Sequence, residues 1–171
     1  MVKELLKHIK YFGYMGFIDE QFTNLPDKEF PECRRNIIGG RESEVLDIYQ
    51  GLSWKAIDLP LFLDDSILEF DNQMKVLDFN RDLSSMLNII AHDQNLIKIY
   101  FAQMRENHQF EGFVRIFDQG YQKSIYINCN IPWNKFRYFY ITSGASWPLL
   151  LVKALAKFSG SYDNVSKLSF S

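Results

Sequence analysis

Four runs between residues 96 and 142 constrain the fold more than anything else in the chain. LIKIYFAQM (96–104), GFVRIF (112–117), SIYINCN (124–130) and FRYFYIT (136–142) are dense in β-branched and aromatic residues, with period-two alternation. That pattern suits a pleated strand with one buried face. The links between the runs are short, with Gly120 and Pro132 marking turns, so an antiparallel meander is expected. Such a sheet needs a cover. WPLLLVKALAKF (147–158) supplies one, with Trp147, Leu150, Leu151, Ala154, Leu155 and Phe158 on one helical face. Gly160 stands where a left-handed C-cap would be, and Lys167–Phe170 reads as a last edge strand.

The first half carries more helix signal. Val2, Leu5, Leu6, Ile9 and Phe12 form one face of an amphipathic helix ending near Gly13. Residues 22–41, with Pro26, Pro31, Gly39 and Gly40, read as a long irregular connection. Ser43 is placed to cap a short helix carrying Val45, Leu46, Ile48, Tyr49 and Leu52. In 66–79, Ser66 and Glu69 fit a capping box, but Val76, Leu77 and Phe79 share no helical face with Leu68 and Phe70, which favours a hairpin around Asp71-Asn72. A helix after Asp82 carries the stripe Leu83, Met86, Leu87, Ile90. The expectation is an α+β fold over one domain, 1–171. It comprises an antiparallel meander of about four to six strands with N-terminal, central and C-terminal helices.

The chain has 171 residues and is 47% hydrophobic, which suits a soluble globular protein. Fifteen Phe, nine Tyr and three Trp are more rings than such a core usually takes, so some are expected at the surface as partner contacts. The start lacks a signal-peptide pattern, and the apolar run near 145–152 is too short to span a membrane. Cys33 and Cys129 belong to no C-x-x-C pair, so free thiols in a reducing, cytoplasmic setting are expected.

Charge is uneven. Residues 42–94 carry eleven acids against Lys55, Lys75 and Arg81, a net of −8, whereas residues 95–171 carry a net of +5. A crowded acidic face repels itself and often serves to steer a basic partner. The plainer alternative is that the two halves offset each other and that helix-start acids explain several positions.

The catalytic templates go unfilled. Ser146 in GASWP lacks the second Gly of a G-x-S-x-G elbow, and His8, His92 and His108 all precede it. A helix cap ahead of Pro148 is the expected role. NIIGGRESE (36–44) lacks the P-loop spacing, and the histidines form no metal pair. Asp64, Asp65, Glu69 and Asp71 match no EF-hand register, so no metal or other cofactor is expected.

On these grounds the sequence reads as a non-catalytic binding protein, an immunity-type inhibitor that neutralises a basic partner such as a toxin nuclease. Asp58, Asp64, Asp65, Glu69 and Asp71 would attract the partner, with Tyr49 or Trp54 as the buried anchor. Two alternatives rest on the meander. Rings interleaved with Lys123 and Arg137 (Tyr126, Tyr138, Tyr140) could stack a single-stranded nucleic acid, and Trp147, Tyr138 and Tyr140 could line a small-ligand pocket.

Overall fold

The computed structural model describes residues 30–39, 51–61, 75–76, 81–101, 103–105, 111–134, 141–142 and 144–168. In chain order these form α1 (Arg34–Ile38), β1 (Ser53–Ala56), β2 (Lys75–Val76), α2 (Arg81–Ala91), α3 (Gln94–Tyr100), β3 (Gln103–Arg105), β4 (Glu111–Asp118), β5 (Tyr121–Ile127), β6 (Asn130–Trp133), β7 (Ile141–Thr142), α4 (Trp147–Ser159) and α5 (Tyr162–Val165). Among the described residues every strand pairing is antiparallel: β3-β4-β5 form one sheet, and β1-β6 and β2-β7 form two-stranded ones. The α+β class expected from the sequence is the one observed.

The β4–β5 hairpin is the clearest piece of local logic. Its turn has two residues, Gln119 and Gly120, at φ of 49° and 82°. Left-handed geometry at both central positions is the two-residue turn whose twist matches paired strands. Asp118 opposes Tyr121, and the register runs down to Gly112 opposite Ile127. Val114, Ile116 and Ile127 are buried on the face that meets α4. Phe113 and Tyr126 pair across the strands on the opposite face, edge to face at 5.6 Å.

Helix α4 is enclosed on every side. All residues from Trp147 to Ala156 are buried, including Leu149, Val152 and Lys153, which the one-sided stripe would leave outside. It touches β4, β5, β6 and α5, so it is a central rod rather than a lid. Gly160 ends it at φ 93°. Phe158 escapes burial and lies over Lys123, with the ammonium 4.6 Å from the ring centre.

Several sequence expectations need correction. Of the run 96–104 expected as a strand, residues 96–100 lie in helix α3, and among the described residues only Gln103 and Met104 pair in a sheet, as part of β3. The Asp93 side chain accepts the Asn95 N–H at 2.9 Å, and this cap outweighs the β preference of the Ile-rich run that follows. Residues 34–38 interrupt the supposed irregular connection with α1, whose Ile37 and Ile38 reach the core. Near the end, Lys167 lies in a turn after α5, with its N–H on the Asn164 carbonyl, so the edge strand does not start there. Ser161 caps α5 through its hydroxyl on Asn164 N–H at 3.1 Å.

Ser146 does stand at the start of α4, but its hydroxyl makes no capping bond. The backbone there is held instead by Ser146 N–H on the Pro60 carbonyl at 2.8 Å and Trp147 N–H on Leu61 at 3.3 Å. Lys75–Val76 pair with Ile141–Thr142, and the rest of the expected 66–79 hairpin lies outside the described residues. So do the helix expected near Val2–Phe12 and the one after Ser43.

At Gly120 an added Cβ would meet nothing within 4 Å, so a substitution there reads backbone strain alone. Gly120→Val should lower stability by about 1–2 kcal/mol in urea unfolding, with no change in the unfolding slope.

Candidate functional site

A buried polar seam lies between α4 and the β5–β6 corner, which contains Cys129; Cys33 follows Glu32, the residue that Asn130 of the corner bonds. At the centre of the seam is Lys153, with no exposed surface in the middle of an otherwise apolar helix. Its ammonium donates to the carbonyls of Asn128, at 3.1 Å, and Asn130, at 2.6 Å, and to the Asn128 side-chain oxygen. The Trp54 ring lies 5.5 Å away on another side. A charge this deep survives only when its donors are used, and here three acceptors converge on it.

The corner is shaped to present those acceptors. Asn128 turns its side chain back to accept Asn130 N–H at 3.2 Å, a local Asx turn that bends the chain from β5 into β6. The Cys129 carbonyl accepts the N–H of Ile57 at 3.0 Å, which extends the β1–β6 pairing by one step. Asn130 reaches outward to the Glu32 carboxylate and so ties the segment before α1 to the seam. Glu111 is buried nearby and accepts the Tyr126 hydroxyl at 3.4 Å.

The two thiols differ. Cys129 is 8% exposed, and burial pushes its thiol above the ordinary range, partly opposed by the nearby Lys153 ammonium and reinforced by Glu111. A thiol held in the protonated form behind packed backbone is a poor nucleophile. Cys33 is half-buried and precedes α1, with its N–H on the Pro31 carbonyl at 2.8 Å. Both thiols are free, and among the described residues neither bonds a histidine. His92 is exposed just beyond α2, while His8 and His108 lie outside the described residues. Among the described residues no cluster of His, Cys, Asp and Glu could hold a metal ion.

A comparison with known families decides what kind of protein this scaffold serves: the family model described as "Calpain family cysteine protease" matches residues 25–171. The chain belongs to the calpain family of cysteine proteases. No curated protein matches it significantly. The match overturns the reading as a non-catalytic inhibitor or immunity protein that neutralises a toxin nuclease, and with it the nucleic-acid and small-ligand alternatives. Acid counting failed because net charge speaks about encounter and solubility, not about reaction type. The absence of a motif misled because the patterns tested were a serine elbow, a P-loop and metal or dithiol pairs, none of which tests for a single cysteine nucleophile.

The residues singled out as partner contacts are placed as follows in this calpain-family chain. Trp54 packs edge to face on the buried ring of Tyr162 at 6.2 Å and against Lys153, so its ring serves the core. Asp58 is exposed in the segment after β1. Tyr49, Asp64, Asp65, Glu69 and Asp71 lie outside the described residues. Of the rings proposed to stack bases, Tyr126 is half-buried under the Lys157 ammonium at 5.8 Å. Trp147, proposed to line a pocket, is 2% exposed within the core. Sequence reasoning missed Lys153; the available signal was a lysine set among Leu149, Leu150, Leu151, Val152 and Leu155.

Lys153→Met keeps the stem and deletes the charge, which leaves Asn128 and Asn130 with buried, unanswered acceptors. Unfolding by urea should show a loss of about 3 kcal/mol. For Cys129 the sign follows from a folded-state pKa above the unfolded one: its contribution is fully present below the ordinary thiol range and is lost as pH rises through it. Stability should therefore fall as pH rises above about 8.5, and Cys129→Ala should flatten that part of the slope.

Proposed function

We propose that the chain takes part in peptide-bond hydrolysis by a cysteine thiolate, with the described residues forming the helix-on-sheet lobe that holds the reacting groups. The observation that carries this is the family match over residues 25–171. In such chemistry a thiolate attacks the carbonyl carbon of the scissile bond. The C–N bond breaks as a histidine returns a proton to the leaving amine, and water then hydrolyses the thioester. The whole sequence holds two cysteines, and only Cys33 has the exposure that contact with a peptide requires. We therefore assign the nucleophile to Cys33 and a packing role to Cys129. The proton carrier is one of His8, His92 and His108, the three histidines in the chain.

One observation favours a second reading: neither thiol bonds a histidine among the described residues. In that reading the lobe works with a nucleophile supplied by another part of the protease. Among the described residues no helix is long and apolar enough to cross a membrane. The free state of both thiols supports a reducing compartment such as the cytoplasm.

The test is cleavage of an unfolded protein such as casein under reducing conditions, compared across variants. Cys33→Ser should abolish cleavage, by a factor of about 10³ or more, while Cys129→Ala leaves it in place. Cleavage that survives Cys33→Ser, or no thiol-dependent cleavage by the folded chain, would overturn the assignment to Cys33 and favour a nucleophile from elsewhere.

A further inference from the structure

Among the described residues, the free edge of β5 is closed along one half and open along the other. Counting from the two-residue turn, Asp118 and Tyr121 exchange both ladder hydrogen bonds, as does every second pair beyond them. The intervening residues Gln122, Ser124 and Tyr126 therefore turn their N–H and C=O groups away from β4. At the buried end of that edge, two lysines of α4 take the carbonyls: Lys157 donates to Tyr126 at 3.0 Å and Lys153 to Asn128 at 3.1 Å. At the turn end, residues 121–124 are all exposed, and the outward groups of Gln122 and Ser124 have no partner among the described residues. Proteins usually blunt such an edge with a proline, a bulge or cover. This stretch, YQKS, has no proline, and among the described residues nothing pairs with its outward backbone groups.

What surrounds the open edge selects an occupant. Lys123 lies on the α4 side, where its ammonium sits 2.8 Å from Asp118 and 4.6 Å above the Phe158 ring. Tyr121, 74% exposed, and Phe158, 38% exposed, flank it on the same side. Residues 95–171 as a whole carry a net of +5. We propose that the open half of β5 pairs with an extended acidic segment of another protein, which adds a strand to the β3-β4-β5 sheet. Backbone groups of Gln122 and Ser124 supply the ladder, alternate carboxylates of the segment face Lys123 and Lys157 on the α4 side, and the side chains between them project to the opposite face, beside Gln122 and Ser124. The proposal concerns binding and is independent of the proteolytic reading.

Proline at 124 isolates the claim, because it removes an N–H that points outward while the bonds to β4 stay intact. The probe is a fluorescein-labelled Asp-Val-Asp-Val-Asp-Val-Asp peptide, with a Lys-Val counterpart as control, read by anisotropy under conditions that prevent cleavage. The native chain should bind the acidic peptide and not the basic one. Ser124→Pro should weaken binding by about tenfold, with an unchanged urea midpoint. Lys123→Glu should reverse the preference between the two peptides, and it decides the matter if the proline variant fails to fold. Equal binding of both peptides, or binding unaffected by either variant, would overturn the proposal. So would a dimer by sedimentation that Ser124→Pro makes monomeric, which assigns the edge to a second copy. Displacement of the peptide by a single-stranded oligonucleotide would also overturn it.

Discussion

An ammonium group with no access to water sets the terms for the rest of this structure. Lys153 cannot be accommodated inside α4 unless the β5–β6 corner brings carbonyls to meet it, and the corner holds that bent shape because Asn128 folds back on its own backbone. The pairing of β6 with β1 then fixes Ile57 and Trp54, and Trp54 completes the enclosure of the lysine. An apolar residue at 153 would pack without imposing any of this. The buried charge accepts one arrangement of α4, corner and β1, which is specificity gained at some cost in desolvation.

How far the fold was legible depended on whether local signals agreed with burial. The β4–β5 hairpin and α4 were readable because alternation, turn residues and the terminal glycine all point the same way. The run at 96–104 was misleading: Leu96, Ile97, Ile99 and Tyr100 look strand-like, yet Asp93 opens a helix there and Ile97 is buried within it. α1 was invisible because five residues between a proline and a glycine carry no periodicity to detect. At Ser146 position was legible and chemistry was not, since a neighbouring loop supplied the carbonyls that hold the backbone there.

The site was less legible than the fold. Sequence showed two thiols but not which was buried, and that difference separates a plausible nucleophile from a packing residue. It also showed a lysine in an apolar helix without revealing its acceptors, which come from the β5–β6 corner. The charge contrast along the chain drew attention to acids and away from sulfur. Of the described acids in the 42–94 segment, Asp82 and Asp93 sit at helix starts, where a carboxylate complements the helix end whatever the protein's job.

Gly39 gives the architecture a temporal side. At φ 68° it ends α1 where a Cβ would come within 3.2 Å of the Ser161 hydroxyl, the group that caps α5. Two short helices from opposite ends of the described chain thus dock through a position with no side chain. Neither is long enough to persist alone in water. A contact that closes so large a loop forms only once the intervening sheet and α4 exist to align it. The cost of closing that loop predicts that α1 docks late in assembly, and with it the surroundings of the half-exposed Cys33.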